Sequence, residues 1–86
     1  MNKSLPKQAP EQTTKELLQQ GFEKYRSELE LGDHREIAKR SKESLRNVRE
    51  YISNLNVSST DTGLKILTAM QAVIMERRAA VIKAVA

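Results

Sequence analysis

The chain has no cysteine and no tryptophan, and Phe22, Tyr25 and Tyr51 are its only aromatic residues. Without thiols, disulfides and thiolate metal sites are excluded as sources of stability. The shortage of aromatics, against plentiful Leu, Ile, Val and Ala, favours helices over sheets. No apolar run approaches the roughly 18 residues needed to cross a bilayer. The opening MNKSLPKQAPEQ lacks the apolar centre of a secretory signal. A cytoplasmic protein with no membrane partner is the expectation. Catalysis also lacks its usual materials. There is one histidine, no glycine-rich loop and no cluster of acids spaced for a metal. No enzyme activity, cofactor, metal or small-molecule substrate is therefore expected.

What remains is 86 residues, enough for one small domain. A core of that size buries a limited share of its apolar surface, so helix chemistry or oligomerisation must contribute. Fifteen Lys and Arg face eleven Asp and Glu, giving a net charge of +4 and a pI near 9.6. That balance is compatible with a polyanionic partner without requiring one.

Residues 1–12 hold both prolines, two lysines and almost nothing apolar. Burial cannot offset the entropy of ordering them, and they are expected to form a flexible arm. Lys3 and Lys7 are then plain tail charges or, alternatively, extra phosphate or minor-groove contacts. TTKE reads as a capping box, in which the Thr13 hydroxyl accepts from the Glu16 amide and the Glu16 carboxylate reaches back. Leu18, Phe22, Tyr25 and Leu29 recur at spacings of four, three and four. This predicts a first helix over Thr14–Leu31, with Gly32 as its left-handed cap. Gly21 weakens that helix but does not end it.

Asp33 and Glu36 predict a second capping box and a short second helix. Ser44 suits the N-cap of a third, with Val48, Tyr51 and Ile52 on its buried side. NLNVSSTD, Asn54 to Asp61, reads as a polar loop. From Asp61 or Thr62 a last helix follows. Leu64, Leu67, Met70, Ile74, Val81 and Val85 recur in it, with Ile66, Val73 and Ile82 beside them. At 1.5 Å per residue it spans roughly 35 Å. Its first part, Leu64 to Ile74, should close over the first and third helices. The expected fold is all-α, four helices in one domain over 13–86.

The stretch EIAKRSKESLRNVREYI, Glu36 to Ile52, decides the functional expectation. As one continuous helix its face would be positions 37, 41, 44, 48 and 51, whose middle buries the hydroxyls of Ser41 and Ser44 and nothing apolar. A break removes that difficulty and makes Ser44 a cap. In the broken version Ala38 is the small residue that admits a second helix, and Lys42, four positions on, occupies the turn. Val48 and Tyr51, ten and thirteen positions after Ala38, anchor the second helix, and Ile37 completes the small core. With these residues, Ser44 and the loop and helix that follow, the stretch from Asp33 to Ile74 resembles the DNA-binding helix-turn-helix of phage Cro and repressor proteins. In particular, it looks like the small helix-turn-helix proteins of phage and prophage regions. That family usually has Gly in the turn, often followed by an apolar residue, where this chain has Lys42 and Glu43. A non-Gly residue at positive φ costs on the order of 1 kcal/mol, which a folded domain can absorb.

The resemblance implies a four-helix, helix-turn-helix domain whose third helix enters the major groove with its N-terminal residues at base edges. The outward residues there are Leu45, Arg46, Arg49 and Glu50. Arg46 and Arg49 are candidates for paired bonds to guanine O6 and N7, worth about 1–3 kcal/mol of discrimination. Leu45 would meet a thymine methyl, and Glu50 would accept from cytosine or orient Arg46. Ser44 as cap leaves amides that suit a phosphate. His34, Arg35, Lys39 and Lys42 would flank the DNA backbone as positioning contacts. From Asp33 to Ser53 there are six Lys or Arg against four acids, whereas Thr13 to Gly32 has three against four. Positive charge is thus concentrated where DNA would lie.

Each piece has a plainer explanation beside it. The basic residues can be an ordinary solvated face, and Arg46 with Glu50 a helix-stabilising pair. His34 reads as surface, Asp33 and Asp61 as caps, and Met70 and Met75 as packing residues. Tyr51 reads as core with its hydroxyl at the edge. The terminal RRAAVIKAVA, from Arg77, exposes Val81, Ile82 and Val85 among small alanines, either for a second subunit or as a partly packed tail. A homodimer through that helix would present two recognition helices roughly 34 Å apart to an inverted repeat in double-stranded DNA. The function expected is a sequence-specific transcriptional regulator, a repressor that occupies an operator and excludes polymerase. The alternatives are a helical protein–protein module that inhibits or scaffolds another macromolecule, and non-specific nucleic-acid coating.

Overall fold

The computed structural model describes residues 13–86, so the expected N-terminal arm lies outside the described residues. Four α-helices are found there and no strand: α1 (Thr14–Tyr25), α2 (Asp33–Ser41), α3 (Leu45–Ser53) and α4 (Thr60–Val85). The all-α expectation holds. None of these helices is long and apolar enough to cross a membrane.

α1 starts with the expected capping box. The Glu16 amide donates to Thr13 Oγ1 at 3.2 Å, and the Thr13 amide donates to Glu16 Oε1 at 2.9 Å. The helix buries Leu18 and Phe22 but stops at Tyr25, short of the expected Leu31. A 3-10 turn over Arg26–Glu28 follows, and Leu29 is extended, with ψ 145°. The cause is Asp33. Its carboxylate accepts from the Glu30 amide at 2.7 Å and binds Arg77 of α4, which turns the chain back before α2. Gly32 is left-handed as expected, with φ 92°, but it directly precedes α2 instead of closing α1. No side chain caps the start of α2, so the expected capping box at Asp33 does not form.

α2 and α3 are separate helices of nine residues each. Ile37 is fully buried and Ala38 half-buried. Ser41 is buried too, and its hydroxyl donates to the Ile37 carbonyl at 2.7 Å, which removes the penalty of burying it. Lys42 is left-handed at φ 61°, and its amide closes onto the Ala38 carbonyl. A left-handed residue thus stands between α2 and α3 without being glycine. Ser44 caps α3 by accepting from the Asn47 amide at 3.0 Å. Val48, Tyr51 and Ile52 face the core, and the Tyr51 ring meets Phe22 edge to face at 6.3 Å.

The segment between α3 and α4 is less polar in role than its composition suggests, because Val57 is 2% exposed. Tyr51 holds the segment down: its hydroxyl accepts from the Ser59 amide at 3.0 Å and pairs with Ser58 Oγ at 3.1 Å. Gln19 of α1 donates to the Leu55 carbonyl at 2.8 Å. Ser59 then caps α4, which begins at Thr60.

α4 buries Gly63, Ile66, Ala69, Met70, Val73 and Ile74. It packs chiefly on α2 and α1 and only lightly on α3, whereas α1 and α3 were expected to carry it. Two residues expected to pack do not: Leu64 is 59% exposed and Met75 66%. Two glycines admit close packing here: Leu67 Cδ2 of α4 would lie 2.8 Å from a Cβ on Gly21 of α1, and a Cβ on Gly63 would lie 3.0 Å from Leu18 Cδ1 and 3.1 Å from Val57 Cγ1. A side chain at Gly63 would require Leu18 and Val57 to shift by a few tenths of an ångström. With Gly63 facing inward, Leu64, one residue further round, faces outward.

Candidate nucleic-acid interface

On α2, Arg35 and Lys39 stand one turn apart on the outer side, and Lys42 continues their row into the turn. On α3, Arg46 and Arg49 form a second exposed row. The rows meet at a groove of about 420 Å³ whose walls include Arg35, Arg49, Arg26 and His34. Glu30 also lines it, and its carboxylate lies 3.6 Å from Arg77 Nε.

The charges of this unit are sorted. All four of its acids are engaged within the chain. Asp33 binds Arg77, and Glu36 accepts from Arg40 at 2.8 Å. Glu43 lies 2.8 Å from Lys65 Nζ. Glu50 accepts from Asn54 Nδ2 at 3.1 Å and Asn56 Nδ2 at 3.3 Å. Among the described residues, Arg40, Lys65, Arg77 and Arg78 are the cations that form ion pairs. Arg35, Lys39, Lys42, Arg46 and Arg49 form none. The acids are neutralised by neighbours or tied to loop amides, and the outward cations stay free.

Ionisation follows these contacts. Hydrogen bonds that Arg40 donates to Glu76, then to Glu36, raise its pKa above the ordinary value, and the same Arg40–Glu76 bond holds Glu76 below the usual carboxylate range. Lys65, then Asn47, lower Glu43. The bond to Asp33 raises Arg77. All these groups remain charged at neutral pH.

The other expected contact residues are placed as follows. Leu45 is half-buried at the start of α3 and Ser44 is exposed, with its hydroxyl committed to the Asn47 amide. Glu50 is half-buried, and its carboxylate braces the chain after α3 through Asn54 and Asn56; the expected pairing with Arg46 is not formed. His34 is half-buried, and its Nε2 is shielded from water without a hydrogen-bond partner. Arg26, which the sequence reading did not single out, donates to the Ser53 carbonyl at 3.0 Å and so closes the C-terminal end of α3. Arg40 and Arg77 were missed as well. Glu36 and Arg40 are four apart and could have been read as a pair, but Glu76 and Asp33 are reached across the fold and leave no local signal. No group of acidic, histidine or cysteine side chains suited to a metal ion occurs among the described residues. No protein family, curated protein or solved structure matches the chain.

Proposed function

We propose that the chain is a sequence-specific DNA-binding transcriptional regulator, built on a helix-turn-helix like that of small phage and prophage repressors. It acts in the cytoplasm as a homodimer on an inverted-repeat operator and represses by excluding polymerase. The observation that carries the reading is the sorting of charge on α2, the turn and α3. Among the described residues five outward cations carry no ion pair, while every acid of the unit is engaged by another side chain or the backbone of the chain.

In this reading α3 lies in the major groove. Arg46 and Arg49 read base edges, Leu45 meets a thymine methyl, and Arg35, Lys39 and Lys42 neutralise phosphates on either side. Glu50 keeps the segment after α3 in place and acts on recognition through that support. His34 stands at the wall of the Arg35–Arg49 groove and positions the backbone contact. Ser44 organises the start of α3.

The test is selection of bound duplexes from a random pool at about 150 mM salt, a concentration at which non-specific binding is weakened. Enrichment of an inverted repeat, lost with Arg46→Ala plus Arg49→Ala while helix content is retained, supports the regulator. Enrichment of nothing sinks sequence-specific reading. The competing reading, a helical module that inhibits or scaffolds another macromolecule, draws on a different observation. Leu64, Met75, Ile82 and Val85 leave α4 with an exposed apolar side. In that case the double arginine variant keeps full activity towards its protein partner.

A further inference from the structure

α4 carries two apolar faces. The buried one runs through Gly63, Ile66, Met70, Val73 and Ile74. The other follows Leu64, Thr68, Gln71, Met75, Arg78, Ile82 and Val85, alternating steps of four and three, the spacing by which a helix addresses another helix along one seam. The four large apolar residues of that seam are exposed: Leu64 59%, Met75 66%, Ile82 65% and Val85 77%. At its start the seam borders an apolar groove of about 490 Å³, between Leu64, Thr68, Ala69 and Ala72 of α4 and the end of α2 at Arg40 to Lys42. At its other end every residue from Arg78 onward is exposed, so the last two turns stand clear of the domain with Val81, Ile82 and Val85 uncovered.

We propose that a second copy of this chain covers the seam, with α4 packed antiparallel on the partner's α4 so that Ile82 of each protomer meets Leu64 of the other. The arrangement deepens the homodimer assumed in the DNA-binding reading, but its support is independent of DNA. Groove and protruding end lie on one helix, eighteen residues or about 27 Å apart. A two-fold axis near Val73 brings each end of one helix onto the opposite end of its partner, so both are covered at once, as an isologous interface requires. The Val81–Ile82 tail then enters the partner's groove, and Arg78 faces the neutral Thr68 of the partner. Parallel pairing instead stacks Arg78 on its twin and leaves both grooves open. Area favours a copy as occupant. Leu64, Met75, Val81, Ile82 and Val85 together expose on the order of 600 Å² of side chain, the upper end of what a monomer leaves uncovered. That is close to the ~800 Å² each partner contributes to a standard interface once alanines and flanking residues are added.

The experiment is sedimentation equilibrium of the full chain without DNA, from about 1 to 200 μM, a range that resolves micromolar dissociation constants. The expected result is a dimer. Ile82→Asp and Leu64→Asp each weaken it at least about 100-fold, since a charge enters an apolar contact, with unchanged helical circular dichroism. Lys83→Glu, off the seam, changes it little. Orientation is read from spin labels on Leu64→Cys and Ile82→Cys, which are unique in a chain without cysteine. Label pairs at 64 on both protomers should lie beyond about 25 Å, and a 64-to-82 pair within about 15 Å. A monomer at 200 μM, a dimer indifferent to both aspartates, or a short 64-to-64 distance overturns the proposal. A dimer that selects no DNA would sink the regulator reading and leave this interface standing.

Discussion

Arg77 of α4 grips the carboxylate of Asp33, the first residue of α2, with one end of its guanidinium. Its other nitrogens reach the Glu28 carbonyl at 3.3 Å and the Glu30 carboxylate at 3.6 Å. A single side chain thus fastens the irregular connection between α1 and α2 onto α4. It sets where α2 begins, and with it the orientation of the outward row Arg35, Lys39 and Lys42.

Asp33 is buried, and removing its cation leaves a carboxylate in a poorly hydrated place. Arg77→Ala should therefore lower the Tm by several degrees. Asp33→Asn should be milder, because the amide still accepts from the Glu30 backbone. Combined, the two changes should cost less than their sum, since each breaks the same pair. Thermal unfolding of the four proteins followed by circular dichroism decides this, and strict additivity would show that the two residues do not act together.

Lys42 presents a trade between stability and binding. Its φ of 61° is strained for a residue with a Cβ. Lys42→Gly should raise stability by up to about 1 kcal/mol, the gain being reduced by the extra freedom of glycine in the unfolded chain. The same substitution removes a cation from the proposed DNA-facing row. Denaturant midpoint should rise while DNA affinity falls; a fall in both would mean that the Lys42 side chain also supports the fold.

Much of this architecture was legible because it rests on local chemistry. Thr13–Glu16, Ser44 and the Leu18–Phe22 spacing all act within one or two helical turns, and each appears as read. The break at Lys42 was legible from a negative feature, the two serines, Ser41 and Ser44, between Ile37 and Val48 on the face a continuous helix would bury. What failed depended on distant residues. The end of α1 is set by Asp33 meeting Arg77, forty-four positions away. The rotation of α4 answers to contacts distant in sequence, Gly63 against Leu18 and Val57 and Leu67 against Gly21. Helical spacing alone cannot distinguish Leu64 from Ile66 as the inward residue. At the candidate interface, the outward cations were legible from helical spacing. Their freedom from ion pairs was not, because Glu43 finds Lys65, and Glu36 and Glu76 share Arg40 across α2 and α4.

Within the regulator reading, Lys39 and Arg49 should separate two kinds of contact. Lys39→Ala removes a phosphate contact. It should weaken all duplexes alike and reduce the slope of log affinity against log salt by about 1. Arg49→Ala removes a base contact, and should cost about 1–3 kcal/mol on the selected operator while barely changing random DNA. Titrations on both duplexes at several salt concentrations measure the two effects together. If Arg49→Ala weakens operator and random duplexes equally, Arg49 is a backbone contact.

Acid should loosen the contact between α4 and α2. Glu76 is held below the usual carboxylate range by Arg40, and Glu43 by Lys65. A carboxylate whose pKa is lower folded than unfolded stabilises the protein above its unfolded value, about 4.3 for glutamate. That contribution fades as pH falls through the lowered folded value. Stability in urea should accordingly be nearly level from about pH 8 to 5 and decline below about pH 4. Both carboxylates are in water's reach, so about 1 M salt should flatten part of the decline. Glu76 and Glu43 tie α4 to α2 and to the turn after it, so the decline measures how firmly α4 is held there. Glu76→Gln lacks the group that must be protonated and should lose less stability between pH 5 and 3 than the wild type, although it starts lower. Parallel urea curves for the two proteins across that interval would show that the Arg40–Glu76 pair contributes nothing to the acid sensitivity of the fold.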